Sequence, residues 1–117
     1  LDVAHIGPIL EHHPLFPDRA NISFVHQLGA NRFRMRVWER GGGLTLACGS
    51  GASAVGVAAY RAGLSGRVNE IVMDGGMVVI DWQDDGTPSG RAVMQGPVAY
   101  VCRGRLADEL SFAVKAS

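Results

Sequence analysis

Lysine is almost absent from this chain: its 117 residues include a single one, Lys115, near the end. An enzyme that uses pyridoxal phosphate needs a buried lysine for the Schiff base, so this scarcity argues against that chemistry. The sequence also lacks a Gly-Lys-Ser or Gly-Lys-Thr phosphate loop. It contains neither an apolar run of about 18 residues nor a signal-peptide pattern, so we expect no membrane partner.

An excess of charge of one sign is lacking as well. Lys and Arg together number 11, Asp and Glu also number 11, and the isoelectric point is about 7.1. Nucleic acids and anionic membranes both require a basic protein face, so neither is expected as a partner. Cysteine is scarce, and Cys48 and Cys102 have neither Cys-x-x-Cys nor zinc-ligand spacing. We therefore predict no metal site and a protein of the reducing cytoplasm.

The chain has no initiator methionine, which predicts that Leu1 is a cut end, and it has the length of one domain. Glycine, by contrast, is abundant at 16 residues, which predicts tight turns and close backbone approaches.

A first helix is predicted over residues 2–13, capped by Asp2, with Ile6, Ile9 and Leu10 as its apolar stripe. Strands are predicted over residues 20–27, 32–39, 44–47, 67–73, 77–82, 91–95 and 97–103.

The stretch over residues 50–62 has a different character, because nearly all its side chains are small or apolar and Gly63 suits a helix C-cap. A helix without a polar face is a buried helix. We therefore predict an α/β (α+β) domain in which a curved, mostly antiparallel sheet is wrapped around a buried central helix. Arg32, Arg34 and Arg36 alternate with apolar residues and are predicted to form one polar strand face. That face could instead line a surface between domains or between the copies of a homodimer.

Cys48 comes directly before the predicted central helix. The first N–H groups of a helix lack internal acceptors and the dipole is positive there, so both effects stabilise a thiolate. The amides of Gly49, Ser50 and Gly51 can in turn hold a carboxylate. The pattern therefore suits proton abstraction next to a carboxylate. A compact, inert, buried cysteine is the alternative, and a dinucleotide fingerprint is disfavoured because no further crossover helices follow.

Several segments closely resemble the second half of diaminopimelate epimerase. They are residues 20–25 (ANISFV), 36–41 (RVWERG) and 45–54 (TLACGSGASA), with Ile6-Gly7-Pro8, Phe16-Pro17 and Gly96-Pro97. The resemblance extends to about Gly104. It implies that residues 1–104 form the C-terminal domain of such an enzyme, incomplete at its N-terminus, and that residues 105–117 are a tail with a weak helical pattern.

The resemblance implies a cofactor-independent isomerase that interconverts LL- and meso-diaminopimelate through two cysteines on opposite faces of the substrate. Cys48 is then one acid/base, and the amides of Gly49 and Ser50 grip the reacting carboxylate. Glu39 and Arg40 resemble the pair that fixes the distal end of the substrate, with Glu39 also influencing the Cys48 proton. Asn21 resembles the asparagine that binds the same end. Without the motif, Asn21 would be a polar residue at a strand edge, and Glu39 and Arg40 a solvated strand end.

The chain departs from the family in two respects: the partner cysteine, in a Cys-Gly-Asn-Gly type motif, is missing, and so is an Asn-Pro-His motif. Cys102 lies where the family has no catalytic thiol. The chain alone is therefore predicted to be inactive and to need the N-terminal domain as a partner. Two further hypotheses remain, a proline-racemase-like two-thiol isomerase and a non-catalytic carboxylate-binding module.

Overall fold

The computed structural model describes residues 1–86, 90–105 and 107. Two helices and six strands are formed over these residues. In chain order they are α1 (Val3–Glu11), β1 (Ile22–Gly29), β2 (Arg32–Glu39), β3 (Gly43–Thr45), α2 (Gly49–Arg61), β4 (Val68–Met73), β5 (Gly76–Gln83) and β6 (Arg91–Gln95).

The strands form one sheet in the order β1-β2-β4-β5-β6, with β3 paired to the end of β2. Neighbouring strands are antiparallel except β2 and β4, which are parallel because α2 makes the crossover between them. The predicted turn at Asp74-Gly75 closes the β4–β5 hairpin, with Met73 opposite Gly76. The mixed α/β fold with a mostly antiparallel sheet confirms the predicted fold class.

The core lies between the sheet and α2. Successive side chains of a strand point to opposite faces, so the alternation in β2 turns one apolar set toward the helix. Buried core residues on the strands and on α2 are Phe33, Met35, Val37, Ala52, Val55, Ala59, Ile71, Met73 and Ile80. The opposite face of β2 carries the predicted polar row, in which Arg32 pairs with Glu70 and both Arg34 and Arg36 pair with Asp74.

Helix α2 approaches the sheet closely because its contact face is made of small residues. A Cβ atom built on Gly56 would lie 2.7 Å from Cγ2 of Ile80, so the backbone itself forms the contact. The sheet was predicted to enclose α2 on all sides, but the outer face of the helix is partly exposed. Ala54 and Ala58 are exposed and border an apolar groove of about 450 Å³ between α2 and β1. The sheet thus covers one face of α2, and the groove follows the other.

Helix α1 packs on the other face of the sheet, against β2. The predicted Asp2 cap is confirmed, because Oδ1 of Asp2 accepts a hydrogen bond from the His5 amide at 3.2 Å. The predicted stripe of Ile6, Ile9 and Leu10 is wrong, since the buried positions of α1 are Val3, Gly7 and Glu11. The reason is the large ring of Trp38, which packs directly against Gly7, so the face that carries Gly7 points toward the sheet.

The strand predicted over residues 97–103 is not formed. After β6 the chain runs on without ladder hydrogen bonds, and Val98, Tyr100 and Val101 are exposed. Apolar, β-branched residues make a strand only where a neighbouring strand supplies backbone partners, and no described strand lies beside this segment. The strand predicted over 44–47 is shorter, because Leu46 and Ala47 leave the sheet to reach Cys48. The tail over 105–117 falls almost wholly outside the described residues.

Candidate active site

Cys48 is the N-cap residue of α2. Its backbone is extended, and its side chain is 7% exposed. The sulfur accepts a hydrogen bond from the Gly51 amide at 3.4 Å, and the Ser50 hydroxyl lies 3.4 Å from it. The sulfur therefore accepts from one N-terminal amide at the positive end of the helix dipole, and the Ser50 hydroxyl beside it can donate or accept.

The glycines around Cys48 lie in tight contact with neighbouring side chains. A Cβ atom on Gly51 would lie 3.0 Å from Cε of Met35 and 3.3 Å from the Cys48 sulfur, and one on Gly49 would lie 3.2 Å from Cε of Met94. Side chains here would press on the thiol or on its neighbours. Glycine keeps the first amides of α2 accessible at close range, as an anion site at a helix N-terminus requires.

Asn21, Glu39 and Arg40 form a second group at the end of β2. Oδ1 of Asn21 accepts a hydrogen bond from the Arg40 amide at 2.8 Å. The Arg40 guanidinium donates to the carbonyl of Asp18 at 3.0 Å, which uses one of its five N–H donors. Because Asn21 holds the backbone of Arg40, the two predicted binding residues meet. The exposed guanidinium is suited to a two-pronged pair with a carboxylate.

Thr45 links the two groups, and sequence analysis assigned it no role. Its hydroxyl donates to Oε1 of Glu39 at 2.6 Å and lies 3.5 Å from the carbonyl of Ala47, the residue before Cys48. The link depends on the pairing of β3 with β2, in which Thr45 stands opposite Val37. The structure therefore connects Glu39 to the segment that leads into the thiol, through a hydroxyl that the motif itself contains.

Glu11 is a second residue that sequence analysis missed. The residue is 3% exposed, and its carboxylate accepts hydrogen bonds from the Trp38 indole and the Gly41 amide. The indole hydrogen bond is the main reason that the pKa of Glu11 lies below its ordinary value, although burial opposes the shift. The signal in the sequence was a lone acidic residue four positions after Gly7, on the same helix face.

The remaining candidates do not join either group. Over residues 1–86, 90–105 and 107, no three His, Cys, Asp or Glu side chains come together as a metal site would require. Cys102 is an exposed free thiol on the segment after β6, whereas Cys48 is buried. The described part of the chain therefore brings together the six predicted site residues as two neighbouring groups joined through Thr45.

A family model described as diaminopimelate epimerase matches residues 1–101 of this chain. The chain belongs to that family. A relative named diaminopimelate epimerase from Acidiphilium cryptum is 55% identical over 106 residues, which are 91% of this chain and 37% of the relative. One from Rhodospirillum centenum is 50% identical over 94% of this chain and 36% of its own length. One from Bacteroides thetaiotaomicron is 47% identical over 91% of this chain and 39% of its own length.

The diaminopimelate epimerase relatives are thus much longer than this chain, which spans little more than a third of their length. The family match covers the whole of the two groups described above, from Asn21 to Ser50. None of the helices among the described residues is long and apolar enough to cross a membrane.

Proposed function

We propose that this chain supplies one half of the active site of a cofactor-independent epimerase that interconverts LL- and meso-diaminopimelate. The observation that carries the proposal is the position of Cys48, whose sulfur sits at the N-cap of α2 with the Gly51 amide and the Ser50 hydroxyl beside it. Membership of the family supports the same reaction class. A two-thiol epimerase needs a buried acid/base next to an anion site, and this helix end offers both.

The proposed chemistry is a proton transfer at the α-carbon. In one direction the Cys48 thiolate takes the α-proton, the Cα–H bond breaks, and the electron pair stays on the carbon and its carboxylate. A thiol on the other face then donates a proton to the same carbon. In the reverse direction the Cys48 thiol is the donor. The amides of Gly49 and Ser50 stabilise the charge that develops on the carboxylate, because they are already oriented at the helix end.

The Asn21, Glu39 and Arg40 group is proposed to hold the distal end of the substrate. Diaminopimelate carries a second carboxylate and a second ammonium group there. The Arg40 guanidinium suits the carboxylate, and the Glu39 carboxylate suits the ammonium group. The hydrogen bond from Thr45 directs Glu39 toward the segment that precedes Cys48, which also gives Glu39 a path for influencing the thiol.

The second acid/base is proposed to lie in a part of the protein outside this chain. Of the two cysteines present, Cys102 is exposed on a segment that follows β6. The relatives have ample length for a second domain that carries the partner thiol. We therefore expect no turnover from this chain alone. A catalytic thiolate also has to stay reduced, which suits the cytoplasm.

The proposal is tested by α-proton exchange in the full-length natural protein that contains this chain. In D2O, we expect deuterium to enter the α-position of diaminopimelate. The gain in mass of the substrate is measured by mass spectrometry. Cys48→Ala should lower both exchange and epimerisation about 100-fold or more, because one acid/base is removed. Cys102→Ala is the matched control and should leave both rates unchanged. Epimerisation near the wild-type rate in Cys48→Ala would disprove the assignment.

The same assay separates the two other hypotheses. A carboxylate-binding module would bind diaminopimelate in calorimetry without deuterium exchange. A proline-racemase-like enzyme would exchange the α-proton of proline. The charged group at Glu39 and Arg40 favours a substrate with a charged distal end, so we expect exchange with diaminopimelate and none with proline.

A further inference from the structure

Glu11 is a buried carboxylate that plays no part in the proton transfer. It lies at the end of α1 with 3% of its surface exposed. A buried charge is unfavourable unless it is paired and hydrogen bonded, so its partners indicate its purpose. Oε2 accepts from the indole Nε1 of Trp38 at 2.7 Å, and Oε1 accepts from the Gly41 amide at 3.2 Å. Arg19 adds a guanidinium 3.8 Å from Oε1.

The two hydrogen bonds of Glu11 bracket Glu39 and Arg40. Trp38 precedes this pair, and Gly41 follows it. The Gly42 amide also donates to the Glu39 carbonyl at 3.0 Å, and Gly41 has a φ of 72°, so the chain turns sharply here. One carboxylate therefore holds the Trp38 side chain, which precedes the turn, and the Gly41 amide within the turn. Glu39 and Arg40, called here the clamp residues, lie between these two contacts. This geometry fixes the direction in which their side chains leave the backbone.

Helix α1 is itself held in place against the same turn. A Cβ atom on Gly7 would lie 2.5 Å from Cγ of Trp38, so the helix rests directly on the indole. The backbone carbonyl of Asp18, the residue before Arg19, accepts the hydrogen bond from the Arg40 guanidinium. The segment after α1 thus contacts the turn from a second side. Contacts from α1 and from the segment that follows it therefore both act on this turn.

We propose that Glu11 is a positioning residue that fixes the Glu39–Arg40 turn and thereby sets the affinity for the distal end of the substrate. The inference rests on the proposed function, since it assigns the turn to substrate binding. The polar partners of Glu11 are Trp38, Gly41 and Arg19, and Cys48 is not among them. Loss of Glu11 is therefore expected to weaken substrate binding much more than the proton transfer.

The kinetic test uses Glu11→Gln in the full-length protein. A glutamine side chain has one acceptor oxygen, so its amide group meets one of the two donors and that bond is lost. We expect KM for diaminopimelate to rise about 10-fold with kcat changed less than about threefold, which marks a loss of binding in the ground and transition states alike. Glu70→Gln removes the same charge from the half-exposed pair with Arg32 and should leave KM unchanged.

A double-mutant cycle separates positioning from general stability. If Glu11 acts through the turn, Glu11→Gln should raise KM in the wild type but hardly at all in Arg40→Ala, where the clamp is already lost. A merely structural role would give additive effects. Additivity, or an unchanged KM in Glu11→Gln, would overturn the proposal. If Glu11→Gln does not fold, Trp38→Phe removes a single donor and should raise KM about threefold; an unchanged KM in that variant would overturn the proposal equally.

A measurement that is independent of turnover distinguishes failure of this inference from failure of the proposed function. In NMR spectra, Glu11→Gln should shift the Trp38 indole and Gly41 amide resonances together with the amides of Glu39 and Arg40. If the wild type shows no α-proton exchange, the proposed function has failed, while these shifts still support the anchoring of the turn. If the Glu39 and Arg40 amides do not move, the anchoring itself is disproved.

Discussion

Two groups of residues are built in different ways: Cys48 with Gly49 and Ser50, called here the thiol group, and Asn21, Glu39 and Arg40, called here the clamp group. Around Cys48, glycines and small apolar side chains bring α2 against the sheet, and the site follows from the helix end itself. Around Arg40, hydrogen bonds to the buried Glu11 and to the exposed residues Asp18 and Asn21 hold a turn. The thiol therefore depends on close packing, which tolerates little added volume. The clamp depends on directional hydrogen bonds, which tolerate little change in chemistry.

This difference is tested most strongly by adding volume where α2 meets the sheet. Gly56→Ala places a methyl group 2.7 Å from Ile80 Cγ2, and overpacking of this kind costs about 1–3 kcal/mol. We expect the free energy of unfolding of the full-length protein, measured in urea, to fall by about that amount. Gly29→Ala is the matched control, since its Cβ would have no atom within 4 Å.

The kinetics of Gly56→Ala sharpen the comparison further. The start of α2 carries the thiol and the amides proposed to stabilise the charge that develops during the reaction, whereas Asn21, Glu39 and Arg40 lie outside the helix. Any effect of Gly56→Ala on activity should therefore appear mainly in kcat, with a smaller change in KM for diaminopimelate. An unaltered unfolding free energy would show that the helix can move away from Ile80, and that the thiol group does not depend on this contact.

The sequence predicted the thiol group better than the clamp group for a physical reason. Cys48, Gly49 and Ser50 are neighbours in the chain, and their arrangement follows from helix capping alone. The contacts of Arg40 with Asn21 and Asp18 cross 19 and 22 positions, and those of Glu11 with Trp38 cross 27. Family resemblance indicated that Asn21, Glu39 and Arg40 act together, but periodicity could not place Glu11, because it assumed an apolar stripe on α1. The prediction of a strand over 97–103 was wrong for a similar reason. A strand needs a neighbouring strand to supply backbone hydrogen-bond partners, and the local sequence pattern does not reveal whether one is present.

A smaller effect is expected from cutting the link between the two groups. Thr45→Val keeps the branched shape and removes the hydroxyl that donates to Oε1 of Glu39. A hydrogen bond of this kind contributes about 1 kcal/mol, so kcat/KM for diaminopimelate should fall about fivefold. Thr45→Ser keeps the hydroxyl and should retain most of the activity. Equal activity in the two variants would show that Thr45 contributes its shape and not its hydrogen bond.

The smallest effect concerns a carboxylate outside both groups. Asp74 pairs with Arg34 and Arg36, and the next residue, Gly75, donates its amide to the Leu46 carbonyl at 2.7 Å, on the segment that leads to Cys48. The hydrogen bond from Arg34 holds the pKa of Asp74 below its ordinary value. A lowered folded-state pKa contributes stability that is present above the unfolded-state pKa and is lost as the pH falls through the folded-state value.

Asp74→Asn should therefore be slightly less stable than the wild type in urea at pH 7, by a difference that salt reduces. The difference should shrink progressively below about pH 4, where the wild-type carboxylate becomes protonated and both proteins lack the charge. The low-pH measurement is thus the internal control, because the two proteins differ there in little besides an amide for a neutral acid. A stability difference that stays constant from pH 7 to pH 2 would show that Asp74 acts through the shape of the β4–β5 turn, and that its ion pairs do not help to hold the approach to Cys48.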